Sequence, residues 1–312
     1  MNIQPVITDY LQYLKALGRS FYTIKNTRAV LKSLAVFLEE QNIATVEELN
    51  ADVFEEYQQD LAFRSTATGS LLALRTQSFM LGAVKAFTRY LKEKDFILYD
   101  PAALIKPPKK PKRLPKVILN PQDVKKLIEA PDSRTNRGYR NKVIIEILYD
   151  TAIRRSEVAG ITVTDLDLDA GFIRIKGKGD KERVVPVSHR VCGLVRNYIL
   201  AVRPCFAKDK DLGHLFLNRW GGKMDPNAVW AVVKRCGSLA HIKKNVSTHT
   251  LRHTCATHML KNGAPIRYLQ EMLGHESLES TQIYTHVTIN DLKEIHRKYH
   301  PSESMNPEPR RH

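Results

Sequence analysis

No stretch of this 312-residue chain is apolar for the roughly 18 residues that a membrane-crossing helix needs, so a membrane-spanning class is excluded from the outset. Residues Met1 to Tyr10 have neither the basic start nor the apolar stretch of a secretory leader, and a cytoplasmic location is expected. Cysteine is scarce. Cys192, Cys205, Cys236 and Cys255 form no Cys-x-x-Cys pair and match no zinc spacing, so buried, reduced thiols are expected rather than a disulfide framework. A glycine-rich Lys-Ser/Thr loop for nucleotide phosphates is missing, and so is the His-Glu-x-x-His pattern of a zinc protease. Acidic residues are the minority: 33 Asp and Glu face 49 Lys and Arg, for a net charge of +16. Such an excess draws a protein toward polyanions, most often nucleic acid, although anionic membrane surfaces attract it too.

The chain changes character once. From Thr8 to about Leu104 the apolar residues recur at helical spacing, with Thr8 as a plausible cap for the first helix. Further helical stretches run over 23–40, 45–63 and 71–94, broken at Gly69-Ser70, with no strand pattern among them. Then comes Lys106-Pro-Pro-Lys-Lys-Pro-Lys-Arg-Leu-Pro-Lys116, rich in proline and base and free of acid. Proline removes donors and disfavours helix before it, so this segment is an extended linker. It reads equally well as a strap along phosphates, through Lys109, Lys110, Lys112 and Arg113, or as a solvated hinge. From Val117 the pattern is mixed. Asn120-Pro121 opens a helix, 141–149 is an apolar helix, and short β-rich runs at 172–176 and 182–187 flank Gly177-Lys178-Gly179-Asp180, a hairpin signal. The spacing thus predicts a mainly α fold with a small β-sheet. It predicts a helical domain over 1–105, a linker over 106–116, a mixed domain over 117–300 and a disordered tail over 301–312.

Four clusters in the second domain carry chemistry. Arg154 and Glu157 follow the end of the apolar helix, where a charge beside buried neighbours needs a partner, although Arg–Glu pairs at this spacing are also common surface decoration. Lys178, with Lys181 just beyond, stands on the hairpin turn; such lysines are often inert. His249 and Arg252 share a helix face, a proton acceptor beside a permanent cation, as an anionic reaction centre would use. His249 and His253 lie four apart but have no third ligand, which argues against a metal. Gly274 reads as a helix C-cap that places His275 on an exposed turn, and Tyr284 follows; each alone is more often structural.

Taken in order, these residues resemble the tyrosine recombinase, or phage-integrase-like, family, and within it the Xer-type site-specific recombinases. The resemblance spans nearly the whole chain. It is carried by Thr-Ala-Ile-Arg-Arg-Ser-Glu at 151–157, Gly-Lys-Gly-Asp-Lys-Glu-Arg at 177–183, His-Thr-Leu-Arg-His at 249–253, and Leu-Gly-His followed by Thr-Gln-Ile-Tyr-Thr-His-Val at 281–287. One departure is visible: the family usually has glycine where Ala152 stands, which predicts a less sharp turn before Arg154.

The resemblance implies a helical core-binding domain and a catalytic domain that together clamp duplex DNA, with helices starting too early to leave room for an extra arm-binding domain. It implies Tyr284 as nucleophile, Arg154 and Arg252 on the phosphate oxygens, His249 as general base, His275 donating to the phosphate and Lys178 protonating the leaving 5′ oxygen. Glu157 would support the arginines. The implied product is a 3′-phosphotyrosine, made without ATP or metal by a homo-tetramer on two DNA sites, alone or with a second related recombinase. Chromosome or plasmid dimer resolution and mobile-element movement are the roles in view. Two other classes stay open at this point: a type IB topoisomerase-like relaxing enzyme, and a non-catalytic DNA-binding protein on the same scaffold. Finally, Ile289, Leu292, Ile295 and Tyr299 form an apolar stripe that must be buried, and the resemblance implies docking in a neighbouring protomer.

Overall fold

The computed structural model describes residues 1–66, 68–109, 117–177, 182–208, 211–274 and 289–301. The chain divides into two compact units, Met1–Leu114 and Pro115–His312.

The first unit is helical: α1 (Ile3–Ala16), α2 (Phe21–Glu40), α3 (Ala51–Phe63) and α4 (Leu74–Glu93). Short polar side chains fix the starts. Asn2, Ser20 and Asn50 each accept a backbone N–H of the first turn of α1, α2 and α3. The first helix therefore begins before Thr8. Pro5 sits in its opening turn, where a missing N–H costs nothing, and Thr8 instead donates its hydroxyl back to the Gln4 carbonyl at 3.2 Å. The stretch expected over 45–63 is interrupted, because Asn50 starts a new helix after a 3-10 turn at Val46–Glu48. Val6, Leu31, Leu34, Phe54, Tyr57, Leu81, Val84 and Phe87 are buried in the shared core.

The second unit is built around α6 (Asn136–Thr151), buried without a break from Arg140 to Thr151. A helix buried on every face belongs at the centre of a fold. Around it pack α5 (Pro121–Glu129), α7 (Arg155–Gly160), α8 (His189–Asn197), α9 (Pro226–Leu239) and α10 (Thr248–Lys261). Asn120 caps α5 and Pro121 takes its first position. An antiparallel sheet joins β1 (Leu166–Asp167), β2 (Phe172–Lys176) and β3 (Glu182–Pro186), with Ile173 opposite Val185 and Lys176 opposite Glu182. Its period of two is clear in β2, where Ile173 and Ile175 are buried and Arg174 and Lys176 are exposed. β1, two residues long, is too short to leave a sequence signal. α11 (Ile266–Leu273) and α12 (Ile289–Tyr299) complete the unit. Among the described residues no helix is long and apolar enough to cross a membrane. All four cysteines are free; Cys192, Cys236 and Cys255 are buried as expected, but Cys205 is exposed.

In the single chain, Leu292, Ile295 and Tyr299 of the last helix pack, partly buried, against the core of their own unit; the side chain of Ile289 lies outside those described. The contact is polar as well. Asp150 of α6 is fully buried and accepts the backbone N–H and hydroxyl of Ser188 at 2.8 and 2.7 Å. His300 Nδ1 lies 3.5 Å from its Oδ1, and His296 stacks on His300 at 4.5 Å while donating Nε2 to the Asp150 carbonyl at 2.9 Å. Two imidazoles thus satisfy polar groups that an apolar stripe alone would leave unpaired.

Candidate active site

The site begins where α6 ends. Ala152 adopts a left-handed conformation, φ 51° and ψ 22°, which reverses the chain. The turn is therefore as sharp as a glycine would make it, despite the alanine. A side chain there costs about 1–2 kcal/mol, and a specific contact helps to hold it: the Ala152 carbonyl accepts Arg252 Nη1 at 2.6 Å. The turn delivers Arg154 to the N-cap of α7 in an extended conformation. Glu157, three residues on, satisfies the helix start by accepting the Arg154 N–H at 2.7 Å, and its other oxygen takes Arg154 Nη1 at 3.0 Å.

Glu157 also holds a second arginine that the sequence reading did not single out. Arg183, on β3, donates Nη1 and Nη2 to the two carboxylate oxygens at 2.9 and 2.8 Å. Burial alone would raise the Glu157 pKa. The hydrogen bonds from Arg183 and from the Arg154 backbone outweigh it and hold the carboxyl below its usual range. The only sequence signal was the place of Arg183 at the end of the 177–183 motif.

Three arginines meet the end of α11. Arg183 Nε donates to the Met272 carbonyl at 3.3 Å, Arg252 Nη2 to Leu273 at 2.5 Å, and Arg154 Nη2 to Gly274 at 3.3 Å. The last carbonyls of a helix lack partners within it and carry partial negative charge, so consecutive guanidiniums are well placed there. Gly274 supplies the left-handed C-cap at φ 60°.

His249 opens the adjoining face on the first turn of α10, exposed to solvent, whereas Arg252 one turn on is buried. Burial, then Arg154, bring the Arg252 pKa down to about 10, still fully charged at neutral pH. Partial desolvation, then Arg155, Arg252 and Arg154, lower the His249 pKa. Its imidazole is therefore neutral, and able to accept a proton, to lower pH than a free histidine. The arrangement combines a neutral base with guanidiniums fixed by one carboxylate, chemistry suited to an anion.

Of the residues expected at the site, the structure brings together Arg154, Glu157, His249 and Arg252. Lys178, Lys181, His275 and Tyr284 lie outside the described residues, as do Lys110, Lys112 and Arg113; Lys109 is exposed at the end of the first unit. Among the described residues, Asp150, His296 and His300 offer metal-ligating atoms within 4.8 Å of one another, but each is already engaged within the α6–α12 contact.

Residues 118–291 match the model of the phage integrase family. The chain belongs to that family. It is a Xer-type tyrosine recombinase, an enzyme that cleaves and rejoins DNA strands in site-specific recombination. Tyrosine recombinase XerD of Staphylococcus epidermidis is 35% identical over 297 residues, covering 95% of this chain and 98% of its own. Tyrosine recombinase XerC 2 of Ralstonia nicotianae is 38% identical over 304 residues, covering 95% and 87%. The fold is also that of the XerH site-specific recombinase solved bound to its difH substrate in a pre-cleavage complex. That match has a TM-score of 0.64 and 23% identity, and covers 92% of this chain and 82% of the other.

Proposed function

We propose that this recombinase cuts one strand of its site by attack of the Tyr284 hydroxyl on the scissile phosphorus. The O–P bond to tyrosine forms as the P–O5′ bond breaks, leaving a 3′-phosphotyrosine and a free 5′ hydroxyl. The observation that supports this most is the convergence of Arg154 and Arg252 on adjacent carbonyls with His249 beside them. Two guanidiniums can hold the non-bridging oxygens as charge builds on them, and losing one such donor typically slows reaction ~100-fold or more. His249 takes the phenol proton, His275 donates to the phosphate, and Lys178 gives a proton to the departing oxygen. Covalent attachment conserves the phosphodiester's free energy, so rejoining runs as the reverse without ATP or metal.

The two units would close on duplex DNA from opposite sides, and four copies would exchange strands between two sites through a four-way junction. Resolution of chromosome or plasmid dimers, or movement of a mobile element, in the cytoplasm is the setting this implies. Tyr284→Phe should abolish the covalent adduct on a nicked suicide substrate and leave DNA binding intact; a normal adduct yield would overturn the assignment. Lys178→Ala should slow cleavage of the ordinary substrate but not of one with a 5′-bridging sulfur, which leaves unprotonated. Equal slowing of both would shift the acid to Lys181. Efficient relaxation of a plasmid without a recombination site would favour topoisomerase activity instead.

A further inference from the structure

We infer that Arg183 is a positioning residue for cleavage: by gripping both oxygens of Glu157 it fixes how Arg154 is presented to the scissile phosphate. The inference rests on the proposed role of Arg154. Left alone, an arginine and a carboxylate settle into two parallel hydrogen bonds. Glu157 does not meet Arg154 in this way. It takes one bond from the guanidinium, through Nη1, and spends the other oxygen on the Arg154 backbone N–H. Each oxygen then accepts one further bond from Arg183, at 2.9 and 2.8 Å. With both oxygens held from β3, the carboxylate cannot turn into parallel register with Arg154. The Nη2 edge of Arg154 stays turned toward Gly274 and free of Glu157.

Two further contacts place Arg183 as a tie rather than a surface charge. Its side chain is only 17% exposed, and its Nε reaches the Met272 carbonyl. Gly274 packs so closely that an added Cβ would lie 3.3 Å from the Arg183 guanidinium carbon. One side chain thus joins β3, the carboxylate behind Arg154, and the end of α11 at Gly274. A lysine could supply the charge but neither the two-pronged grip nor the Nε bond.

The test is single-turnover cleavage of a nicked suicide substrate by the full chain, with rates read per DNA-bound molecule. Arg183→Lys should cleave on the order of 10- to 100-fold more slowly than wild type, with DNA affinity and its salt dependence unchanged. Glu157→Gln should be slowed too, and the double variant should be no slower than the worse single one, because both losses act through Arg154. Arg203→Lys is the control for merely weakening a part-buried arginine: Arg203 also bonds a carboxylate, Asp211, and a carbonyl, His214, and should cleave normally. A methylphosphonate at the scissile position carries less negative charge and leans less on Arg154, so the Arg183→Lys deficit should shrink there. A 5′-bridging sulfur should leave it in place. Wild-type rates for Arg183→Lys, additivity with Glu157→Gln, or full recovery with the sulfur substrate would each overturn the inference. Failure of the underlying reading would show separately, as wild-type protein without a Tyr284-dependent adduct.

Discussion

Arg252 and Ala152, one hundred residues apart, are joined by a 2.6 Å hydrogen bond from the guanidinium to a carbonyl held in a left-handed turn. The bond ties Arg252 of α10 to the turn that presents Arg154. It lets an alanine occupy a conformation that glycine adopts freely.

Replacing Ala152 by glycine should therefore stabilise the protein. Relief of about 1–2 kcal/mol of left-handed strain is partly offset by the greater freedom of glycine in the unfolded chain, worth about 0.4–1 kcal/mol. A net gain of roughly 0.5–1 kcal/mol in urea unfolding is expected, with cleavage unchanged because the carbonyl stays in place. Lower stability for Ala152→Gly would show that the alanine methyl, which is buried, contributes more than the strain costs.

The acid limb of the cleavage profile is a second readout. His249 must be neutral to accept a proton, and its pKa is lowered by desolvation and then by Arg155, Arg252 and Arg154. Activity should hold down to a pH below the ordinary histidine value of about 6.5 and fall as pH drops through the lowered one. Arg155→Gln should move that limb upward, toward the ordinary value. A limb that stays put would mean that another group sets it.

Stability should also depend on acid, through α12. His300 is held down to about 3 by burial and the neighbouring His296, while Asp150 opposes that shift and Arg190 adds to it. The unfolded chain binds a proton at this position below about pH 6.5, whereas the folded chain stays neutral until much lower pH. Folding stability is thus full above that value and lost progressively as pH falls toward 3. Asp150, whose carboxyl is lowered, acts in the same direction at the acid end. His300→Asn should be less stable at neutral pH but should show a flatter decline between about pH 6 and pH 4. Truncation after Thr288 should lower the unfolding midpoint of the single chain, because it uncovers Asp150 and Cys255. An unchanged midpoint would mean that α12 contributes nothing in cis.

Binding should weaken steeply with salt as phosphate contacts release counterions. Neutralising Lys109, Lys110, Lys112 and Arg113 together should flatten that slope. If the slope is unaltered, the 106–116 segment is a tether only.

Much of the fold was legible because its signals are local. Asn120-Pro121 and the apolar face behind it fix α5, and Gly274 marks the end of α11. Boundaries slipped where a nearby cap competed, as with Asn2 against Thr8. Residues 154, 157, 249 and 252, which the structure brings together, stood out only as an ordered set resembling the family's motifs, since each alone reads as surface decoration or structure. Arg183 did not, because its partner lies 26 residues upstream and an arginine in a half-exposed strand reads as solvated. The stripe of α12 announces that it must be covered but not by what. Its packing within the single chain involves Asp150, His296 and His300, whose pairing across the fold no local pattern announces.

The arginine-capped end of α11 has a consequence for the DNA-free protein. A helix C-terminus carries roughly half a negative charge, and here three guanidiniums share it across Met272, Leu273 and Gly274. Together with the Glu157 carboxylate, which pairs with Arg154 and Arg183, it is a resident counterion that offsets the repulsion among the three cations. If the proposed phosphate contacts form, Arg252 gives up only carbonyl partners among the described residues, while Arg154 can keep one edge on Glu157. The cluster can stand assembled before its substrate arrives and return to the same state after the rejoined strand departs.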